Sequence, residues 1–371
     1  MPNLVILAAA GSGKTTHIVT EALADRGSQI AIVTFTQKNA EEIRRKFYEL
    51  GGCIPPHVEV WTWLSFLLHE LVRPYQDALY EPRIGTMLWV EKRSTRGIKK
   101  EDAARYYFDR NSQIYSDKVA EFAFECGQLC GGRAIARLKE RFDHIYIDEV
   151  QDLAGYDLDL LDTFLRSGLR LTLVGDHRQA TYSTNKSARN KQFAGAQIVR
   201  KFSEWEKAGL CVVIHHNHSY RCHQLICDLA DSFYPGLPRT ASRVEGDFDH
   251  CGVFTVRMAE AGQYVLRYAP QVLRYNVKTN CDGMDAMNFG ESKGLGFKRV
   301  LIFPHGKAVR WLKTADVKHI TKSIAKLYVA VTRAHYSVTF VFDGIAKIPG
   351  VNAYSATAAA PRMAQGEFDF F

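Results

Sequence analysis

The sequence has no run that approaches the roughly 18 consecutive apolar residues needed to cross a membrane as a helix. It also has no secretory signal, because the apolar residues 4–7 run directly into a glycine-containing loop. These absences exclude a membrane-spanning or secreted class from the expected functions. We therefore expect a cytoplasmic protein that needs no membrane partner.

No cysteine pair has the tight CxxC…CxxC spacing of a zinc site. Two looser groups remain, Cys126 with Cys130, and Cys222 with Cys227 close to the histidines of residues 215–223. A metal cluster at either place is the less favoured alternative. In a reducing compartment, free thiols are the expected state of the eight cysteines.

The chain has 371 residues, enough for two or three globular units. Its 46% hydrophobic and 24% charged residues are typical of a folded protein rather than a disordered one. The formal net charge of +8 favours a polyanionic partner, although many basic proteins bind no nucleic acid. The charge therefore supports nucleic-acid binding only if the motifs require it too.

Short apolar runs alternate with helical segments, a pattern that predicts a parallel α/β fold. The runs at residues 4–7, 29–35, 145–147 and 171–174 read as buried strands. We expect a first lobe, a helical insertion within it, a second α/β lobe that begins at an apolar run, and a flexible C-terminal tail. The first lobe is expected at residues 1–73 and 142–210, the helical insertion at 74–141, the second lobe at 211–345 and the tail at 346–371.

A glycine-rich loop follows the first apolar run and opens a helix, which is the context of a P-loop. Glycines let several N–H groups point at the phosphates, and a helix N-terminus favours negative charge. Lys14 would neutralise the β- and γ-phosphates, and the Thr15 hydroxyl would hold Mg²⁺. The sequence thus predicts that ATP and Mg²⁺ bind through Ala10, Gly11, Ser12, Gly13, Lys14, Thr15 and Thr16.

An acidic pair, Asp148 and Glu149, ends the apolar run 145–147. Ligands bind at this end of the strands in open parallel sheets. Asp148 is expected in the Mg²⁺ shell, and Glu149 is expected to orient or deprotonate the attacking water. Such a pair is often only a solvated strand end, but the P-loop favours the catalytic interpretation.

The chain resembles UvrD/Rep-like superfamily 1 DNA helicases, in a minimal form without the large insertion of the second lobe. Residues 148–152 resemble motif II, and the other family motifs follow in the family's order. The segments that carry the resemblance are residues 34–40 (motif Ia), 60–66 (Ib), 174–182 (III), 219–221 (IV), 292–295 (V) and 327–334 (VI).

The resemblance implies an α/β fold of two RecA-like P-loop NTPase lobes with parallel sheets and a small helical insertion in the first. It implies that ATP lies between the lobes, with Gln179 as γ-phosphate sensor, Arg221 and Arg333 as arginine fingers and Tyr220 stacked on adenine. Motif V adds Gly294 to the nucleotide contacts. By the same analogy, Phe35, Trp63 and Tyr182 would stack on bases while Thr36 and Thr62 bind phosphates. Core packing is the ordinary interpretation of Trp61 and Trp63, and we expect it for at least one of them.

The implied activity is that of an ATP-dependent single-stranded DNA translocase or helicase, with 3′→5′ polarity and a role in replication, repair or recombination. RNA is the alternative to DNA as the nucleic acid. A monomeric motor of bacterial or phage origin is expected. The sequence departs from the family by having Leu64 and Gly290 where the family has histidines, and Gly296 where a glutamate normally contacts the nucleotide. These departures favour the main alternative, an ATP-gated nucleic-acid-binding switch without unwinding activity; a P-loop kinase is the third possibility.

The chain ends with a peptide that resembles those that dock on sliding clamps. An extended peptide on an alanine-rich tether would place its aromatic rings in a hydrophobic pocket. The alternatives are an unattached tail or a tail packed on its own protein. The expected contact residues are Gln365, Phe368, Phe370 and Phe371. The cluster of cations from Lys92 to Lys100 is either a solvated face or a duplex contact.

Overall fold

The computed structural model describes residues 2–182, 184, 187–246 and 248–355. The chain divides into two units, Met1–Ser219 and Tyr220–Phe371. Each unit contains one six-stranded sheet whose strand pairs are all parallel. The α/β fold with two parallel sheets that the sequence implies is therefore confirmed, and it is the arrangement expected of two RecA-like lobes.

The first unit contains nine strands and eight α-helices within its described residues. Its large sheet has the order β3-β2-β6-β7-β1-β8. The strands are β1 (Leu4–Ala8), β2 (Ile30–Thr34), β3 (Val58–Thr62), β4 (Met87–Leu88), β5 (Ile114–Tyr115), β6 (His144–Ile147), β7 (Arg170–Gly175), β8 (Val212–His216) and β9 (His218–Ser219). The helices are α1 (Lys14–Ala24), α2 (Gln37–Gly51), α3 (Trp63–Phe66), α4 (Ala103–Tyr107), α5 (Val119–Leu129), α6 (Arg133–Arg141), α7 (Tyr156–Arg166) and α8 (Ile198–Lys207).

The second unit repeats the alternation of strands and helices. Its large sheet has the order β13-β12-β14-β15-β11-β16. The strands are β10 (Ala241–Ser242), β11 (Gly252–Val256), β12 (Gln271–Arg274), β13 (Met287–Asn288), β14 (Phe297–Phe303), β15 (Ala334–Val341) and β16 (Val351–Ala353). The helices are α9 (Gln224–Ser232), α10 (Met258–Tyr268), α11 (Gly306–Thr314) and α12 (Ile324–Val331).

Local sequence explains where the elements of the first unit begin and end. Every residue of β2 is buried, as an apolar run in the middle of a parallel sheet requires. Thr36 caps α2 by accepting a hydrogen bond from the Asn39 amide at 3.1 Å. Gly52 ends the same helix at φ 75°, in the left-handed region that glycine enters without strain.

The segment between residues 74 and 141 contains α4, α5 and α6, with the two-residue strands β4 and β5 paired in parallel. Its buried side chains Tyr107, Phe122 and Leu138 belong to one hydrophobic cluster with residues of the main sheet such as Val5 and Val33. The segment therefore shares its core with the first sheet, which holds it against the rest of the unit.

Two expected boundaries are wrong. The apolar run 211–214 does not begin the second lobe, because β8 pairs with β1 from Leu4 opposite Val212 to Ala8 opposite His216. The expected tail includes β16, which pairs with β11 at the edge of the second sheet. The strands β8 and β16 are both edge strands. A run of apolar or small residues does not indicate which sheet such a strand joins. The clamp-docking residues Gln365, Phe368, Phe370 and Phe371 lie outside the described residues.

All eight cysteines lie in the described part of the chain, and none of them forms a disulfide there. Cys53 is exposed, Cys251 is half-buried and the other six are buried. Among the described residues, no group of three or more His, Cys, Asp or Glu side chains could hold a metal ion. The absence of disulfides agrees with the thiol state that a reducing compartment favours.

Candidate nucleotide site

The loop between β1 and α1 has the geometry of a phosphate-binding loop. Gly11 and Gly13 have φ values of 74° and 81°, which only glycine adopts without strain. Gly13 directly precedes α1, so the first amides of the helix face the loop without carbonyl partners in the helix. Lys14 is the first residue of α1, and its Nζ lies 3.4 Å from the Ala9 carbonyl oxygen. The predicted residues Ala10, Ser12, Thr15 and Thr16 occupy the same turn.

The strand β8 and the residues after it hold this loop in place. The Ala9 amide donates to the His216 carbonyl at 3.0 Å. The Ser219 hydroxyl, fully buried, donates to the Ala10 carbonyl at 2.8 Å. The sequence placed residue 219 in a motif of the second lobe, whereas the structure makes Ser219 a support of the P-loop.

Asp148 and Glu149 lie directly after β6, at the same edge of the sheet as the loop. The Asp148 amide donates to the Val33 carbonyl at 2.8 Å, which continues the strand pairing into the acidic pair. The Asp148 side chain is 5% exposed, and its Oδ1 accepts from the Glu149 amide at 2.9 Å. Glu149 has φ 58°, a conformation that non-glycine residues rarely adopt. The Gln151 side-chain amide donates to the Glu149 carboxylate.

The turn after β7 brings Asp176 and Gln179 to this edge. Gln179 Nε2 donates to Asp176 Oδ2 at 2.8 Å, and Arg178 Nε donates to Oδ1 at 3.1 Å. Burial opposes ionisation of Asp176, but the charges of Arg178 and Lys14 and the Gln179 hydrogen bond lower its pKa to about 2. The Asp176 carboxylate therefore carries a negative charge near Lys14.

Gln151 connects the two acidic turns, and sequence reasoning missed it. Its Oε1 accepts from the Asp176 amide at 3.0 Å, while its amide nitrogen contacts Glu149. A Cβ on Gly175 would overlap Gln151 Oε1, so only glycine leaves room for this contact. The Gly175 position in the apolar strand is the one sequence signal that points to such a close approach.

Buried polar groups without partners surround the loop. Ser12 Oγ, Thr34 Oγ1 and both ring nitrogens of His177 have no hydrogen-bond partner among the described residues. Ser12 is 7% exposed and Thr34 1%. Buried polar groups are nearly always hydrogen-bonded, so these orphans at the ends of β1, β2 and β7 suit a polar ligand such as a phosphate or a hydrated metal ion. Thr34 faces Asp148 in the register of β2 and β6 and was not singled out by the sequence.

The nucleotide contacts predicted in the second unit differ in how exposed they are. Tyr220 is 64% exposed, and Gly294 has φ 87°. Arg333 is 1% exposed, and its guanidinium donates to the carbonyls of Val329 at 2.9 Å and Leu295 at 3.0 Å. Hydrogen bonds to its own unit thus position the Arg333 side chain.

Gly296 explains one departure from the family pattern. A Cβ at this position would lie 2.8 Å from His335 Nε2 and 3.6 Å from Arg221 Nε. Burial and the positive charge of Arg221 lower the pKa of His335, so the ring is uncharged beside the arginine at neutral pH. Any side chain larger than glycine would displace His335 from Arg221.

The predicted nucleic-acid contacts differ in their exposure. Phe35 and Thr62 are half-buried at the ends of β2 and β3, and the Thr62 hydroxyl donates to Ser65 Oγ at 2.8 Å. Thr36 is half-buried and caps α2. Tyr182 is 45% exposed, which suits a stacking platform. All four side chains are at least partly accessible to solvent.

Trp63 corrects the sequence prediction. It is 1% exposed, and its indole N–H donates to Asp157 Oδ1 at 2.7 Å. Trp61, two residues earlier, is half-buried and donates to Glu59 Oε2 at 3.0 Å. Side chains of a strand alternate between faces, but Trp63 already belongs to α3, whose inner face packs on the core. Trp63 is therefore a core residue and not a base-stacking one.

Within the described residues, no helix is long and apolar enough to cross a membrane. Residues 1–185 match the model of a family described as an AAA domain. The chain is similar to the Gabija protein GajB of Bacillus cereus (strain VD045), at 27% identity over 245 residues that make up 62% of this chain and 46% of that protein.

Two solved helicase structures are also similar to this chain. The Arterivirus nonstructural protein 10 (helicase) in complex with DNA matches at 15% identity and a TM-score of 0.46, over 92% of this chain and 61% of that one. The PRRSV helicase matches at 15% identity and a TM-score of 0.44, over 92% of this chain and 52% of that one. The chain thus spans between 46% and 61% of the length of these relatives. The family comparison identifies residues 1–185, just under half of the chain, as similar to an AAA domain.

Proposed function

We propose that this chain is a nucleic-acid-dependent ATPase of the superfamily 1 helicase type. The observation that carries the proposal is the meeting of the Lys14 loop, Asp148 and the Asp176–Gln179 pair at the carboxyl ends of β1, β6 and β7. This edge of an open parallel sheet is where ligands bind. The AAA-domain match of residues 1–185 and the helicases among its structural relatives agree with this proposal.

The roles of the first-unit residues follow from their chemistry. The amides of residues 10–16 and the Lys14 ammonium would bind the phosphates of ATP. Thr15 and Asp148 would hold Mg²⁺, which neutralises charge on the β- and γ-phosphates when bound. Glu149 would orient the attacking water and accept its proton, and Gln179 would contact the γ-phosphate. The strained backbone of Glu149 fixes its carboxylate relative to Asp148.

The second unit would supply the remaining cations and the base contact. Tyr220, with its ring exposed, would stack on adenine, and Gly294 would lie near the nucleotide. Arg221 and Arg333 would stabilise the negative charge of the transition state. ATP hydrolysis then requires both units of the chain.

Hydrogen bonds join the acidic turn to Thr184, two residues after Tyr182 in the chain. The Thr184 amide donates to the Asp152 carbonyl at 2.9 Å, and the Ala154 amide donates to Thr184 Oγ1 at 3.0 Å. Tyr182 lies between Gln179 and this anchored residue in the chain. A change at Glu149 or Gln179 on hydrolysis would therefore be transmitted to the Tyr182 ring, as a nucleic-acid-driven motor requires.

The finer assignment is also a proposal. We infer movement along single-stranded DNA in the 3′→5′ direction, within replication, repair or recombination in a bacterial or phage setting. Phe35, Thr36, Thr62 and Tyr182 would contact the strand, and residues 365–371 would recruit a sliding clamp. The protein would act in the cytoplasm as a monomeric motor, and RNA is the alternative strand.

The test is the steady-state ATPase rate with and without single-stranded DNA. Native protein is expected to show strong stimulation, and Lys14→Ala is expected to abolish it because the phosphates lose their cation. Lys207→Ala, an exposed lysine at the end of α8, is the control and should behave as native protein does. An unstimulated rate equal to that of Lys14→Ala would refute the ATPase proposal.

Gly296 favours a second candidate, an ATP-gated nucleic-acid-binding switch without unwinding. The close packing of His335 and Arg221 leaves no room for the glutamate that the family places there. The switch predicts ATP-dependent changes in DNA affinity without strand displacement. A strand-displacement assay on a duplex with a 3′ single-stranded end separates the two: released strand supports the helicase, and tight binding without release supports the switch.

A further inference from the structure

One loop of the first unit has an aromatic side chain and several cations that the proposed function does not use. Residues 89–99, here called the basic loop, follow β4 and contain one tryptophan and four cations. Three hydrogen bonds fix the loop along its length. They run from the Val90 amide to Ser116 Oγ at 3.0 Å, from the Ser94 amide to Asp117 Oδ2 at 3.1 Å, and from Thr95 Oγ1 to the Tyr106 carbonyl at 3.0 Å. The loop therefore presents its outward side chains from a fixed backbone.

The tryptophan of the basic loop is exceptional in its exposure. Trp89 is 63% exposed, whereas Trp63, Trp205 and Trp311 are 1% exposed and Trp61 is half-buried. All five tryptophans lie in the described part of the chain. Trp89 is therefore largely accessible to a partner, next to a backbone position that the Val90 hydrogen bond holds in place.

The cations of the basic loop are exposed side chains. Lys92, Arg93, Arg96 and Lys99 are exposed and make no hydrogen bond or ion pair with any described residue. The neighbouring Lys100, by contrast, pairs with Glu121 at 3.3 Å and Glu125 at 2.5 Å. With Glu91 as its one acidic residue, the basic loop has four positive charges against one negative, a formal net charge of +3.

We propose that the basic loop is a further contact for single-stranded nucleic acid, in which Trp89 stacks on a base and the four cations bind phosphates. An indole stacks on any base whose face is free, and a row of cations follows the phosphate backbone. Bases inside a duplex are already stacked, so the exposed ring selects a single strand. The inference rests on the proposed function in that it requires a nucleic-acid partner.

The first test measures stacking. Anisotropy titrations with a labelled oligothymidine compare native protein, Trp89→Leu and the control Tyr48→Leu, an aromatic residue of α2 that is 60% exposed. Loss of one stacked base is expected to weaken binding by roughly 5- to 100-fold. Tyr48→Leu should bind as native protein does. Quenching of tryptophan emission by the oligonucleotide should fall sharply in Trp89→Leu, which reports contact with that ring directly.

The second test measures phosphate contacts. The double variant Lys92→Gln/Arg96→Gln is compared with Arg26→Gln/Lys207→Gln. The control removes two exposed cations, one in the turn after α1 and one at the end of α8, at the amino-terminal edge of the large sheet of the first unit. Two lost phosphate contacts should lower the slope of log affinity against log salt by about 1.4. The control pair should leave the slope unchanged, because those cations lie away from the proposed strand.

The outcomes separate this inference from the proposed function. Native protein that binds no nucleic acid overturns both. Native affinity retained by Trp89→Leu and by the Lys92/Arg96 variant overturns only the basic-loop contact. An equal loss of affinity for duplex and single strand overturns the single-strand assignment, whereas a loss confined to the single strand supports it.

Discussion

At the scale of single residues, His177 combines burial with the absence of a partner. Its ring is 8% exposed, and neither nitrogen is hydrogen-bonded within the described residues. Burial lowers its pKa to about 4, although the charge of Asp176 opposes the shift. The ring is therefore neutral near pH 7, with one donor and one acceptor nitrogen beside the P-loop.

His177 should make the free energy of unfolding depend on pH. The unfolded ring binds a proton near pH 6.5 but the folded ring only near pH 4, so the unfolded state takes up a proton between these values. The stabilisation is present above pH 6.5 and decreases as the pH falls towards 4. Between pH 7 and pH 5 the loss is about 2 kcal/mol, since one pKa unit corresponds to ~1.4 kcal/mol.

Urea denaturation of native protein and His177→Leu at both pH values measures this effect. The variant should lose less stability than native protein on acidification, by about the same 2 kcal/mol. His319→Leu, which alters a histidine of the second unit, is the matched control and should retain the native difference. Parallel pH dependences of native protein and His177→Leu would contradict the prediction.

At the scale of elements, the sequence predicts those strands whose character is local. The strands β1, β2, β6 and β7 are apolar runs buried in the middle of the first sheet, and each lies where the pattern predicts it. The P-loop follows from glycines adjacent in sequence. The pairing of β8 with β1 cannot be predicted in this way, because it joins residues about two hundred positions apart and no local pattern encodes it.

The candidate site shows the same division. Lys14, Asp148 and Gln179 are recognisable because motif spacing marks them. Ser219 and Gln151 are not recognisable in this way, because their roles arise from hydrogen bonds to residues distant in the sequence. Thr34 is not recognisable either, because only the structure shows that its buried hydroxyl has no hydrogen-bond partner among the described residues. The Ser219 hydroxyl reaches Ala10 across 209 positions of the chain.

Removing that hydroxyl should weaken nucleotide binding. Ser219→Ala leaves the Ala10 carbonyl without its donor, at a cost of about 1 kcal/mol to the bound form of the loop. We expect roughly a fivefold weaker Kd for ATP, measured with a fluorescent ATP analogue, since 1.4 kcal/mol is tenfold. Ser232→Ala, which removes a hydroxyl bonded within the last turn of α9, should leave the Kd unchanged. An unaltered Kd in Ser219→Ala would mean that β8 alone holds the loop.

At the scale of the whole molecule, the proposed catalytic residues are divided between two units that each have their own six-stranded sheet. The first unit contains the phosphate loop and both acidic turns. The second contains Arg221, placed beside Gly296 and His335. If residues of both units take part in hydrolysis, a substitution in the second unit should change the rate of hydrolysis and the affinity for ATP to different extents.

Arg221→Ala should therefore lower kcat far more than it weakens ATP binding. A cation that acts on transition-state charge contributes on the order of 10³-fold or more to kcat. Single-turnover hydrolysis and equilibrium binding of ATP measure the two effects separately. Arg310→Ala, on an exposed arginine of α11, is the control. Equal losses of affinity and kcat would assign Arg221 to substrate binding instead.

The different exposure of the eight cysteines makes the native chain suitable for site-selective labelling. Maleimide reagents attack the thiolate, and burial raises the pKa of Cys126 to about 12 and of Cys211 to about 11. Cys53, exposed in the turn after α2, is not shielded in this way, and half-buried Cys251 is the next most accessible thiol. Because α2 begins at the Thr36 cap beside Phe35, a fluorophore on Cys53 would lie just beyond the far end of the helix that starts at the expected strand-binding edge. Single-molecule observation of the protein on a nucleic acid could then begin from the native sequence, with Cys251→Ser as the only change.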